Sequence, residues 1–282
     1  VTLTLSRLLQ GVYFELGQLN YSVATGGTTA TVVDSTMGGQ GANDSWNNCA
    51  LFITKDAGGL GAAPEGEFKL VTGFTDATGT FTLDSAFSAA VGAGDVYAYS
   101  QPRWPLYQAI QGVNHALGNL GDMVLVDQST LKIESGKTEY VCGVDWKFAG
   151  PPLRIDIEQN RSDPNDQGWI TVRDWEYEPA TVDEAGKIIF KRQYNTDHYC
   201  RVWYRAPHPY VSAHADLISE NIHPEVIKWG SVVELLKWMN ERTQGEESGV
   251  VKGLNDARSE YENAIRRHPV FSFARKSKLF IW

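Results

Sequence analysis

Gly38-Gly39-Gln40-Gly41-Ala42-Asn43-Asp44-Ser45-Trp46-Asn47-Asn48 is the densest gathering of potential ligand groups in the chain. Asn43, Asp44, Asn47 and Asn48 could offer oxygens to calcium, but no Glu stands at the closing position that an EF-hand loop requires. The glycines could cradle a phosphate, yet there is no GxxxxGK and no basic partner. Gly, Asn and Asp also dominate irregular connections for conformational reasons. The segment is therefore expected to be a loop between two strands, with Trp46 tucked onto a small β-domain. Gly58-Gly59-Leu60-Gly61 lacks the dinucleotide-binding spacing and leads to no helix, so it reads as another loop.

The six histidines are His115, His198, His208, His214, His223 and His268. His208 and His214 flank an irregular stretch, but no HExxH or standard ligand interval accompanies them. There is no GxSxG elbow, and no Cys lies beside a plausible base in a basic setting. Asp156 and Glu158 project from one side of LRIDIEQ, as a glycosidase pair could. Strand alternation reads them more simply as a solvated outer face. The aromatic set Trp146, Trp169, Trp175, Trp203 and Tyr204 could stack on sugars if exposed. Trp169 and Trp203 sit in alternating strands and are expected in a core. No catalytic residue, metal site or cofactor is expected.

The 282 residues carry a net charge of −9, which argues against a general nucleic-acid binder. The charge is uneven. Residues 1–100 hold nine acids against Arg7, Lys55 and Lys69, whereas residues 252–282 hold seven Lys and Arg against Asp256, Glu260 and Glu262. Such polarity suits a protein that meets different partners at its two ends. The cysteines, Cys49, Cys142 and Cys200, are odd in number and widely spaced, which suggests a reducing compartment and no structural zinc. No run is long and apolar enough for a membrane helix, and Val1 to Gln10 lacks the pattern of a signal peptide.

The elements that must position these residues fall into two kinds. Leu5, Leu8, Leu9, Val12 and Leu16 recur at helical steps, stopped by Gly17. Leu106, Ile110, Val113, Leu117 and Leu120 make a second stripe, begun by Pro105 and ended by Gly121. Gly112 and Gly118 weaken that helix, for which close packing is the expected reason. A third helix runs from His223-Pro224 to about Arg242 with an unusually broad apolar surface. A helix of that kind is central to a core or covered by another subunit. A fourth starts near Ser248, a candidate N-cap, and stops at Pro269.

Between these helices, TTATVVD, CALFITK, EFKLVTGF, TGTFTLD and DVYAYS read as short strands. So do MVLVD, TLKIE, TEYVC, LRIDIEQ, WITVRDW, KIIFK and YCRVWYR. The predicted fold is α+β. A small helical bundle (residues 1–19, 101–121 and 213–269) carries a barrel-like β-domain at 20–100 and a sandwich or jelly-roll β-domain at 122–212. Residues 270–282 form an extended tail.

The opening TLSRLLQGVYFELGQ, then YSVATGGTTATVVDS, the DSWNNCALFI run, and FTDATGTFTLDSAF before AGDVYAYS resemble structural proteins of tailed bacteriophages. IHPEVIKWGSVVELLKWMNER, a short acidic loop and GLNDARSEYENAIRRHP resemble the helical pair of head-to-tail adaptor (connector, or neck) proteins. The resemblance covers most of residues 1–121 and 213–270; residues 122–212 fit it less clearly. It implies a non-enzymatic virion protein, made in the host cytoplasm and built into the neck. There it would form a ring, typically a dodecamer, between the portal protein and tail or neck proteins. It would continue the DNA channel without sequence-specific contact and would need no membrane.

Trp229, Val232, Leu236 and Trp238 on the third helix are the expected subunit interface. In the tail, Phe271, Phe273, Arg275, Lys276, Lys278, Leu279, Phe280 and Trp282 combine aromatic anchors with a basic cluster. They are expected to dock on the portal or a neighbouring subunit by strand addition. The alternative is a carbohydrate- or receptor-binding virion protein that uses the second β-domain, with Trp146 and Trp175 in an open groove.

Overall fold

The computed structural model describes residues 3–128, 131–142, 151–158, 168–181, 183–194 and 198–269. The first half of the chain runs through β1 (Leu3–Thr4), α1 (Leu5–Glu15), β2 (Leu19–Val23), β3 (Gly26–Gly27) and β4 (Thr31–Val33). It continues with β5 (Ala50–Lys55), β6 (Phe68–Thr75), β7 (Thr80–Leu83), β8 (Val96–Ser100) and α2 (Leu106–Asn119). Then come β9 (Met123–Asp127), β10 (Glu139–Val141), β11 (Arg154–Glu158), β12 (Trp169–Val172), β13 (Trp175–Glu178), β14 (Lys187–Phe190) and β15 (Cys200–Ala206). The chain closes with β16 (Leu217–Ile218), α3 (Pro224–Arg242) and α4 (Ser248–Arg267). The fold is α+β. Residues 1–119 and 209–270 form one compact unit, and 120–208 belong to a second.

In the first unit, α1 buries Leu5, Leu8, Leu9 and Val12, the stripe legible in the sequence. Thr4 caps it through its side chain, and Gly17 turns the chain out with φ 65°. α3 is the central helix: α1, α2 and α4 all pack on it. Its apolar breadth is thus consumed within the chain, with Val226, Ile227, Val232, Val233, Leu235, Leu236 and Met239 buried. The N-cap of α4 is Glu247 rather than Ser248, and Glu247 makes no side-chain cap bond. Its carboxylate pairs with Arg103 instead.

Seven strands make one antiparallel sheet in the order β2-β8-β5-β6-β7-β4-β3. Its two edge strands, β2 and β3, are joined by Ala24 and Thr25 alone, so the sheet must curl until its edges meet. The Thr25 amide donates to the Val33 carbonyl at 2.8 Å, and the Ser22 hydroxyl donates to Asp34 at 2.5 Å across the junction. The interior holds Val32, Leu51, Ile53, Val71, Phe74, Phe81 and Tyr97. The barrel belongs to the same compact unit as the bundle, where the sequence suggests an inserted β-domain of its own. Tyr13 of α1 packs edge-on against Phe52 and donates its hydroxyl proton to the Trp104 carbonyl at 3.1 Å. The Leu106 amide, at the start of α2, donates to the Asn48 carbonyl at 3.2 Å.

The second unit holds a four-stranded sheet, β12-β11-β15-β9, and a three-stranded sheet, β10-β14-β13. Ile155, Ile157, Val172, Cys200, Val202 and Tyr204 from the first meet Tyr140, Ile188 and Phe190 from the second in one core. Two sheets over a common core are a sandwich. The predicted strand TLKIE survives only as a bridge between Lys132 and Tyr199, and WITVRDW splits into β12 and β13. The predicted Asp163-Pro164-Asn165-Asp166 turn lies outside the described residues.

On the first unit, the Asn114 side chain clamps the returning chain. Its Nδ2 donates to the Val211 carbonyl at 2.8 Å, and its Oδ1 accepts from the Val211 amide at 2.9 Å.

Candidate functional site

A groove of about 490 Å³ opens on the first unit where the end of α1, the Arg103–Trp104 turn, α3 and α4 converge. Its floor is apolar: Trp104, Trp229, Val232, Leu236, Val250 and Ala257. Helical spacing brings them there. Trp229, Val232 and Leu236 recur at three- and four-residue steps on α3, as do Val250, Leu254 and Ala257 on α4. Gly253 lies beside them on α4, where a Cβ would make only an ordinary contact, 3.7 Å from the Leu236 side chain. The rim is acidic, with Glu15, Glu247, Asp256 and Glu260 around it. Glu15 is neutralised by Lys228 at 2.5 Å and Glu247 by Arg103. Asp256 and Glu260 make no ion pair among the described residues.

Three of the four expected interface residues therefore meet in this groove. Val232 and Leu236, expected at a subunit interface, are 2% and 7% exposed and already buried by the chain's own helices. They form the floor. Trp229 is half-buried and reachable, with the Lys228 ammonium 5.1 Å from its ring centre. Trp238 lies elsewhere, with the Arg242 guanidinium 5.5 Å from its ring. Phe271, Phe273, Arg275, Lys276, Lys278, Leu279, Phe280 and Trp282 lie outside the described residues.

The glycine-rich segment at 38–48 is a loop held by its own polar side chains. Asp44 Oδ1 accepts from the Phe74 amide at 3.2 Å, and Asn43 Oδ1 from the Asp76 amide at 2.9 Å. Asp76 in turn accepts from the Gly41 amide at 2.9 Å. Asp44 and Asn48 adopt the left-handed conformation with φ 62° and 71°, which their short side chains tolerate. Trp46 packs edge-on against Tyr99, with ring centres 5.0 Å apart.

Two expectations for the second unit are corrected. Asp156 and Glu158 are 0% and 4% exposed, not solvated. The reason is a ladder of large side chains on the sheet face away from the core. Asp156 accepts from Arg154 Nε (2.6 Å), Thr171 Oγ1 (2.8 Å) and Trp203 Nε1 (3.0 Å). Burial alone would raise its pKa, but these three donors outweigh burial and hold the carboxyl below the usual range. Trp169 and Trp203 stand on this same face, half-buried, rather than in the core. Arg201 covers Trp169 at 4.1 Å and Arg154 covers Trp203 at 5.7 Å. Trp175 and Tyr204 do pack into the core, and Trp146 lies outside the described residues.

The fold creates a histidine pair that no sequence interval marks. His208 and His214 fall in different units. His223 and His268 stack instead, with ring centres 3.4 Å apart and planes 6° from parallel, and Glu225 Oε2 is 3.7 Å from His268 Nε2. Each histidine marks a helix boundary next to a proline. Only the antiparallel arrangement of α3 and α4 unites the start of one with the end of the other. One potential ligand atom from each of the three lies within 4.8 Å of the others. In-plane lone pairs of parallel rings cannot converge on one cation, however. His223 Nδ1 also accepts from the Glu225 amide at 3.3 Å as the cap of α3. The buried thiols of Cys142 and Cys200 are pushed up to about 11 and 12 by desolvation, and that of Cys49 further still.

Comparison with protein-family models and with characterised proteins finds no match for this chain.

Proposed function

We propose that the chain is a non-enzymatic structural subunit of a tailed-phage neck. In this reading it is a head-to-tail adaptor that forms a ring between portal and tail and continues the DNA channel. The observation that carries the reading is the α1–α3–α4 groove, whose apolar floor is buried except at half-buried Trp229 and whose rim carries two carboxylates, Asp256 and Glu260, without an ion pair among the described residues. Two such grooves cannot face one another without bringing like charges together, so a self-complementary dimer is disfavoured. The groove calls for a different surface on its partner. Contacts between unlike surfaces of identical subunits generate rings when the rotation closes. The resemblance of the α3–α4 segment to the helical pair of adaptors supports the same reading. The net charge of −9 suits a channel through which DNA slides without sticking.

The test is particle imaging and native mass spectrometry of the purified chain, alone and with portal rings. A closed ring, free or stacked coaxially on portal, is expected. A monomer under both conditions overturns the reading. A trimer that ignores portal favours a receptor-binding protein instead.

A further inference from the structure

We propose that the first unit carries a binding site for a short neutral oligosaccharide, where the start of α2 meets β6, the end of β7 and the turn at 212–216. A cavity of about 340 Å³ opens there, with apolar lining from Leu70, Leu106 and Ile110. Backbone bonds set its walls. The Asp84 amide donates to the Leu70 carbonyl at 2.9 Å, and Asp84 Oδ1 accepts from the Leu70 amide at 3.1 Å. Asp216 holds the turn by accepting from the Ser212 and Ala213 amides at 2.6 and 2.8 Å. The His214 carbonyl accepts from the Ser6 amide, in the first turn of α1, at 3.2 Å. The cavity is thus formed before any ligand arrives, as small-molecule sites are.

Its polar groups are unspent. Lys69, Asp84 and His214 line the cavity, yet Lys69 Nζ, Asp84 Oδ2 and the ring nitrogens of His214 have no hydrogen-bond partner among the described residues. Lysine only donates and an ionised carboxylate only accepts, while the hydroxyls of Ser85 and Ser212, also in the lining, do both. A ligand that meets them all must donate and accept over a short span, as adjacent hydroxyls do. The lysine and the carboxylate offset one another, so the cavity does not call for a net charge.

The aromatic groups supply the other half of the match. Tyr107 lines the cavity and is 64% exposed, which offers a flat apolar face beside the hydroxyl-binding groups. A sugar ring has the same division, with apolar C–H faces and a hydroxyl edge. Gln111 stands one turn further along α2, about 6 Å on, and donates from Nε2 to the Tyr210 hydroxyl at 2.6 Å. Tyr210 is 60% exposed, so a second aromatic ring continues the platform beyond the cavity for a second, linked sugar. An amino-acid zwitterion would satisfy Lys69 and Asp84 but leave both tyrosines idle.

Saturation-transfer difference NMR and calorimetry of the full chain test this. The probes are maltohexaose, cellohexaose, mannohexaose and the hexamer of N-acetylglucosamine, with glycine as the zwitterion. At least one hexasaccharide is expected to bind with a Kd of about 1 mM or tighter. Tyr107→Ala and Asp84→Asn are each expected to weaken it roughly tenfold or more. Both positions are exposed, and Asn keeps an acceptor for the Leu70 amide, so melting temperatures should hold. Tyr107→Phe, which keeps the ring, is expected to bind nearly as well as the wild type. Tyr21→Ala, at an exposed tyrosine of β2, is expected to change nothing.

Failure of all the hexasaccharides to bind overturns the inference. So does binding that Tyr107→Ala or Asp84→Asn leaves unchanged, or that Tyr21→Ala weakens equally. Glycine that displaces a bound sugar, or binds where none of the sugars does, makes this a zwitterion site and overturns it too.

Discussion

Asp34 shows how much a single buried carboxylate can organise. It is 0% exposed, yet Ser22, the Thr36 amide and hydroxyl, and Tyr97 all donate to it. Burial would raise its pKa, but the hydrogen bonds prevail and lower it. Asp34→Ala leaves several buried donors unpaired and is expected to cost about 3 kcal/mol in a urea melt at neutral pH. The folded-state pKa lies below the unfolded value of about 3.9, so the carboxylate's contribution is complete above that pH. It is lost as pH falls through the lower, folded value. The stability gap between wild type and Asp34→Asn should therefore narrow only in acid below about pH 4. A gap that closes between pH 7 and 5 would contradict the hydrogen-bond account. Nothing in TTATVVD singles out Asp34 as buried, because its donors come from residues 22 and 97 as well as 36. For the same reason LRIDIEQ reads as half-solvated: Arg154 is local, but Thr171 and Trp203, which also donate to Asp156, come from neighbouring strands.

At the scale of elements, helical stripes were legible because they are local, while their surroundings were not. The broad apolar surface of α3 left two readings open, and the structure selects the central helix. The two glycines of α2 divide in the same way. A Cβ on Gly112 would stand 3.1 Å from Leu235 Cγ, so close packing explains it, whereas Gly118 has nothing within 4 Å. Gly118→Ala is expected to stabilise by about 1 kcal/mol through helix propensity alone. Gly230 of α3 is the opposite case, since a Cβ there would meet Tyr261 at 3.1 Å and Ala116 at 3.3 Å. Gly230→Val is expected to destabilise by about 2 kcal/mol through overpacking among three helices. Thermal melts of the two variants should move in opposite directions. If Gly230→Val melts like the wild type, the helices are not as tightly set there as the distances state.

At the scale of the whole molecule, alternation in sequence found most of the strands but not the unit they belong to. The switch from helical to strand periodicity near residue 20 suggested a separable domain. Tyr13, Phe52, Trp104 and the Asn48–Leu106 hydrogen bond instead tie barrel to bundle. These are contacts between distant parts of the chain, which periodicity cannot express. Replacing residues 22–100 by a Gly/Ser linker is therefore expected to abolish cooperative unfolding of the helices, with most of the helical circular dichroism at 222 nm lost. Retention of the full helical signal and a sharp melt would make the barrel an independent passenger. The 120–208 insertion is another matter, because the chain returns onto Asn114, on the helix from which it departed. Its two ends are pinned at one spot by the Asn114–Val211 pair, whatever hangs between them. A gene exchange at those two points would trade one cargo for another and leave the host fold's own bonding intact. In the laboratory the same spot is a socket for display, open to any foreign domain whose termini lie side by side.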